Sequence, residues 1–196
     1  MIPPVSCARH AAVVLALLVL AGCSLSPVPK PTDPSGVTQQ LMMRSLERAL
    51  EHLHIERLKE QTITIEIFSQ VGPTVPTVLI REFVTTWLRA HGVRIVEGLP
   101  DLKVKAFASV LGTDSDQDLL GIPAFQTPIV NIPVPEVAFF KWQRNRGVAE
   151  IRLFEFDGKT DEFVAAPPTG VGRARFDKYT ILIFFGYTET DVNDRE

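Results

Sequence analysis

The sequence predicts an α+β fold in a single domain, with two N-terminal helices packed on a mixed or mainly antiparallel sheet. Three observations predict it. Apolar residues recur at helical spacing in two early segments, period-two runs of β-branched and aromatic residues dominate the later chain, and one strand–helix–strand succession suggests a crossover unit. The chain has 196 residues, 45% hydrophobic and 22% charged, enough to bury a core without disulfide or metal staples. Its formal net charge of -3 gives no basic surface for nucleic acid.

The N-terminus carries targeting information. Arg9 and His10 precede an unbroken apolar run from Ala11 to Leu20, then Ala21-Gly22 and Cys23. That order is n-region, h-region and cleavage site of a secretory signal peptide, expected over residues 1–22. A run of about ten residues reaches only ~15 Å as a helix, half of the ~30 Å hydrocarbon core, so it is expected to be processed rather than to span. Leu20-Ala21-Gly22-Cys23 resembles the lipobox of bacterial lipoproteins. The resemblance implies that Cys23 becomes the N-terminus, thioether-linked to diacylglycerol and further acylated, and holds the protein on a bilayer through its lipid chains. Ser24 in place of Asp implies, by the same likeness, sorting to the periplasmic face of the outer membrane. Cleavage removes Cys7 and acylation consumes Cys23, which leaves no thiol for disulfide, redox or nucleophilic chemistry.

Residues 23–36 hold Pro27, Pro29, Pro31 and Pro34 and are expected to form an extended tether ahead of the domain at 37–191. From Val37 to Lys59, Met42, Leu46, Ala49, Leu50 and Leu53 fall on one helical stripe. Gln61 to Phe68 alternates Ile63, Ile65 and Ile67 with polar residues and predicts a strand. Gly72-Pro73-Thr74-Val75-Pro76 breaks it and opens a second helix, with Leu79, Ile80, Phe83, Val84, Trp87 and Leu88 as its stripe and Gly92 as its stop. Val93 to Val96 predicts a short strand and Asp101 to Leu111 another, with Leu102, Val104, Ala106, Ala108 and Val110 on one face. Gly147–Asp157 and Glu162–Ala165 flank Asp157-Gly158-Lys159-Thr160, which suits a hairpin turn. Asp177 to Thr188 predicts the last strand, followed by a loose polar tail over 192–196.

No catalytic, metal or cofactor site emerges, and the chain is not expected to be an enzyme. Asp114-Ser115-Asp116-Gln117-Asp118 has the alternating carboxylates of a calcium loop, but Leu119 stands at the glycine position and Phe125 at the bidentate glutamate position, so a solvated acidic loop is expected. His52 and His54 on a helix would point about 200° apart, which argues against a metal pair. His91 is expected to meet the last carbonyls of its helix. Thr169-Gly170-Val171-Gly172-Arg173 lacks the lysine and helix of a phosphate loop and is expected to be a turn between strands. There is no G-x-S-x-G in the mature chain.

The unusual stretch is Leu119 to Trp142. Between Asp118 and Glu136 no residue is charged, and Pro123, Pro128, Pro133 and Pro135 break up a series of aliphatic residues, so an extended connection is expected. It either wraps the core or docks its apolar side chains on a partner or membrane, with Phe125, Ile129 and Ile132 as the candidate contacts.

The segments Pro135-Glu136-Val137-Ala138-Phe139-Phe140-Lys141, Arg146-Gly147-Val148-Ala149-Glu150-Ile151 and Phe176-Asp177-Lys178-Tyr179-Thr180-Ile181-Leu182 are similar to a family of bacterial lipoproteins known only as a domain of unknown function. The resemblance covers Leu119 to Asp191 and departs at Pro167-Pro168-Thr169-Gly170, where a Gly-Pro and Tyr-Gly pair is expected. It implies an envelope location and carries over no functional residue. The order of elements in the N-terminal half also resembles envelope lipoproteins of the curli-secretion and flagellar-accessory type, which implies an assembly role by layout alone. Two functions stand at this point: a lipid-anchored protein-interaction or self-assembly module, and an envelope hydrolase with a composite site.

Overall fold

Helix α1 (Gly36–Glu51) begins the part of the chain that the computed structural model describes, which comprises residues 35–69, 77–127 and 132–193. The expected signal peptide, Cys23, the tether up to residue 34, the opening of the second helix before Thr77, and Ile129 lie outside the described residues. Ser35 caps α1, its hydroxyl accepting the Thr38 amide at 3.2 Å. Met42, Leu46, Ala49, Leu50 and Leu53 are buried as the spacing predicts, and Leu41 is buried with them. A single helix to Lys59 does not form. Ile55 and Leu58 would point away from that stripe on a continuing helix, and the break after Glu51 with a short second helix, α2 (Glu56–Glu60), turns both into the core.

Strand β1 (Thr62–Ser69) buries Ile63 and Ile67. Helix α3 (Thr77–Ala90) buries Ile80, Val84 and Leu88, keeps Phe83 and Trp87 at the margin of the core, and leaves Leu79 exposed, so the stripe is narrower than expected. Gly92, at φ +89°, ends it, and the Val93 amide donates back to the Leu88 carbonyl at 3.0 Å. Strand β2 (Arg94–Ile95) returns parallel to β1, forming the expected crossover.

The remaining strands are β3 (Leu102–Ile122), β4 (Phe125–Gln126), β5 (Pro133–Val134), β6 (Val137–Asp157), β7 (Phe163–Ala165), β8 (Gly170–Ile181) and β9 (Phe185–Thr190). The main sheet runs β2-β1-β3-β6-β8-β9, with β7 also on β6, and β4 pairs β5 in a separate two-stranded ladder. β1 is parallel to β2 and β3, and the other pairs are antiparallel. The fold is therefore α+β with a mixed sheet, dominated by its strands. The helices do not simply precede the sheet, because β1 stands between α2 and α3.

The sequence understates two strands. β3 and β6 each run 21 residues, about 70 Å at an extended rise, and pair along almost their whole length. The expected acidic loop at Asp114–Asp118 is strand, and so are the ends of the expected connection at 119–122 and 137–142. Thr169-Gly170-Val171-Gly172-Arg173 is no turn: from Gly170 it is the start of β8. Its glycines serve packing. A Cβ at Gly172 would meet the Ser45 carbonyl oxygen and one at Gly170 the Ala49 carbonyl oxygen, so α1 lies against bare backbone of β8.

The helices share one face of the sheet. Leu46, Leu50 and Leu53 of α1 and its following turn, Ile80, Val84 and Leu88 of α3, Val104 and Ala106 of β3 and Ile151 and Leu153 of β6 form one buried cluster. The opposite face of this half carries Lys103, Lys105 and an aromatic group in which Phe107 stacks on Phe68 at 5.0 Å and meets Phe154 edge-on at 5.6 Å. Val110 leaves the expected face because the register slips between Ala108 and Val110, and Leu111 packs on the core in its place.

Candidate functional site

Beyond the helices the sheet continues as four antiparallel strands in the order β3, β6, β8 and β9. Their pairing sorts side chains into tiers on the face away from the helices. Asp116, Arg144, Asp177 and Glu189 form a charged tier; Asp118, Trp142, Tyr179 and Tyr187 form the next; Leu120, Phe140, Ile181 and Phe185 form the last before the turns. Along β6, β8 and β9 the chemistry thus changes from charged through aromatic to apolar within five residues, and along β3 from charged to apolar.

The charged tier is paired mostly with residues of the neighbouring tiers. The Arg146 guanidinium donates to both oxygens of Asp177, which is buried, and this bond pushes the Arg146 pKa up. Arg175 pairs with Glu189 at 2.8 Å, and Arg144 bridges Asp118 at 3.0 Å while lying 4.6 Å over the Trp142 ring. In the aromatic tier Trp142 stacks on Tyr179 at 5.6 Å and Tyr179 on Tyr187 at 6.0 Å. The Trp142 indole nitrogen has no partner among the described residues.

The apolar end is left in water. Phe184 is 85% exposed and Phe185 68%, with Leu120, Ile122, Phe139, Leu182 and Ile183 exposed around them. Phe125 and Ile132, two of the predicted contacts, lie at this end and are half exposed, the first on β4 and the second just before β5; the third, Ile129, is outside the described residues. The Thr127 amide donates to the Ile132 carbonyl at 3.0 Å and closes that small ladder. The nearest charges are Glu136 and Lys141, joined to each other at 2.7 Å.

The turn between β8 and β9 was hidden from sequence reading. Asp177 to Thr188 reads as one alternating strand, since Ile181-Leu182-Ile183-Phe184-Phe185 contains none of the residues that favour turns. The chain nevertheless reverses there with Leu182 at φ 48° and Ile183 at φ 69°, and the Phe184 amide donates to the Leu182 carbonyl at 2.7 Å. A β-branched residue at positive φ is a strained position. The only available signal is the five-residue apolar run itself, too long for the exposed end of a surface strand.

Elsewhere the described residues offer little chemistry. A shallow open recess beside β1 is lined by Ile65, Glu66, Ile67, Phe68 and Arg81. His52 Nδ1 lies 2.7 Å from the Arg48 carbonyl and His91 Nδ1 2.8 Å from the Trp87 carbonyl, the helix-end role expected of His91. Among the described residues no three His, Cys, Asp or Glu side chains cluster to hold a metal ion. No protein-family model and no curated protein matches the chain.

Proposed function

We propose that the protein is a lipid-anchored assembly module of the bacterial envelope, held on the periplasmic face of the outer membrane through Cys23, with a single α+β domain over residues 37–191 that joins other copies of itself through its distal sheet. The observation that carries this reading is the pair of edges left unpaired among the described residues. Across the four strands Phe185 is level with Leu120 and Thr190 with Ser115, so the outer edge of β9 and the distal edge of β3 stand at the same height. β3 runs toward the apolar end and β9 away from it, and an even number of strands separates them. A β9 of one copy therefore meets a β3 of the next in antiparallel sense, a head-to-tail contact that repeats from copy to copy. Ser115–Leu120 and Phe185–Thr190 contain neither Pro nor Lys, and of the carboxylates they carry, Asp116, Asp118 and Glu189, the last two are neutralised by Arg144 and Arg175. The exposed Phe125 and Ile132 would extend the contact at the tip, together with Ile129.

Two measurements test it. Labelled fatty acid should enter the wild-type protein and not Cys23→Ser; an unlabelled wild type refutes the anchor. Light scattering of the acylated protein in mild detergent should show oligomers that Gln117→Lys with Thr188→Lys disperses, because the two lysines would face each other across the joint. A wild type that stays monomeric at every concentration refutes self-assembly.

A further inference from the structure

We propose that the apolar end of the distal sheet enters a lipid bilayer, with Trp142, Tyr179 and Tyr187 at the headgroup level and the β8–β9 turn in the acyl region. The inference deepens the envelope reading, from which it takes the nearness of a membrane and, for its second ground, the lipid on Cys23. The sequence of tiers is the first ground. A band of stacked aromatics lying between paired charges and a wholly apolar turn matches the gradient from water through headgroups to hydrocarbon, since aromatic side chains with polar tips settle at that boundary.

The β8–β9 turn dips rather than spans. From Tyr187 back to Ile183 the strand covers four residues, about 13 Å at an extended rise, close to the ~15 Å of one leaflet's hydrocarbon and about half the ~25 Å apolar band of a spanning strand. The β3–β6 hairpin goes further: Ile183 is level with Ala138 and Gly121, and past these lie Ile122, Val137, Glu136 and the β4–β5 ladder. The Lys141 ammonium, on the other face of the sheet, is neutralised by Glu136 and has a stem long enough to carry it toward the surface. The turn strain at Leu182 and Ile183 fits the same use. Asn-Gly would relax it but would place a polar side chain in the turn.

The course of α1 is the second, independent ground. Ala49 lies against Gly170, Ser45 against Gly172 and Leu41 against Gly147, so α1 runs antiparallel to β8 and its N-terminus points to the apolar end. Ser35 stands about 9 Å beyond Leu41 on the helix axis, and residues 23–34 reach at most ~40 Å more. A lipid on Cys23 and the apolar end can thus enter one leaflet together.

The test uses residues 23–196 with Cys23→Ser, produced without the leader, so that neither acyl chain nor signal helix contributes; all described structure begins at Ser35 and is retained. Trp87→Phe leaves Trp142 as the single tryptophan. With vesicles of phosphatidylethanolamine and phosphatidylglycerol, the protein should float with the lipid. Trp142 emission should shift to the blue, and lipids brominated high in the acyl chain should quench it more than those brominated near the methyl end. Phe184→Ser with Phe185→Ser should weaken partition at least about tenfold at unchanged circular dichroism. Should that variant misfold, the Trp142 depth profile of the parent decides alone. Protein that stays with the lipid-free fraction overturns the proposal, as does flotation without quenching. Oligomers formed without lipid, lost in the Phe184/Phe185 variant and unable to bind vesicles, assign the surface to a second copy instead. Because the protein tested carries no lipid and its edges are untouched, failure here leaves the Cys23 anchor and the edge contact standing, and their failure leaves this result standing.

Discussion

Glu155 is buried in β6 with Oε2 lacking a hydrogen-bond partner and Arg57 3.6 Å away. Burial raises its pKa, and Arg57 only partly opposes the shift. A carboxyl that holds its proton more tightly when folded loses stability as pH rises from the ordinary carboxylate range through the raised value. Glu155→Gln should therefore raise the melting temperature at pH 7 by about 2–4 °C, roughly 1 kcal/mol in a domain of this size, and the gain should shrink toward pH 4. Asp101 and Asp157 act in the opposite sense. The Thr62 hydroxyl and amide hold Asp101 below the usual range, and the Thr160 and Lys159 amides do so for Asp157. Their stabilisation is present at neutral pH and lost as pH falls through the lowered values, so Asp101→Asn with Asp157→Asn should flatten the acid limb of the stability profile. Gly172→Ala should cost about 1–3 kcal/mol in chemical denaturation, because its Cβ meets α1 backbone that cannot yield, while Gly112→Ala, with nothing within 4 Å, should be neutral or slightly stabilising.

At the scale of elements, the segments legible in the sequence were those whose period and ends agreed. The α1 stripe, β1, the Gly92 stop and the β1–α3–β2 crossover carry both a pattern and a boundary signal. Where a strand continued through polar residues, as β3 does through Asp114–Asp118, no local pattern marked it; pairing with β6 holds it. The β8–β9 hairpin failed for the reverse reason, its turn being built from residues that favour strands. Leu182→Asn with Ile183→Gly should stabilise this hairpin by about 1 kcal/mol, read as a higher denaturation midpoint. Trp87, at the margin of the core and stacked on His91 at 3.8 Å, is a test of the α3 face: Trp87→Ala should cost about 1–2 kcal/mol, short of the ~3–5 kcal/mol of a fully buried tryptophan.

The whole molecule divides along its strands. Helices cover the half of the sheet around Val104 and Ile151, while the half around Asp116 and Tyr179 has pairing and edge charges but, among the described residues, no helix over it. Native-state hydrogen exchange should show this directly: amides at Val104 and Leu153 should open only with global unfolding, and those of β9 orders of magnitude faster in the unassembled protein. Of the candidate site the sequence marks only the charge-free stretch, with Phe125 and Ile132 among the described residues and Ile129 outside them. What the sequence lacked was the alignment, since Trp142, Tyr179 and Tyr187 lie on three strands and become neighbours only through register.

That alignment leaves Ser109 out of its count. Before it the even-numbered residues of β3 face the helices; after the slip between Ala108 and Val110 the odd-numbered ones do. Ala108 stands opposite Ile151 and Val110 opposite the next residue of β6, Glu150, so Ser109 is the supernumerary residue of a bulge. Deleting it would join Ala108 to Val110 in unbroken alternation and leave Asp116 opposite Arg144 and Asp118 opposite Trp142, whereas deleting one residue between Val110 and Asp116 would bring Gln117 and Leu119 round in their stead. For a lineage of such chains the consequence is positional: the arm can lose a single residue at Ser109, and elsewhere only changes that keep its parity.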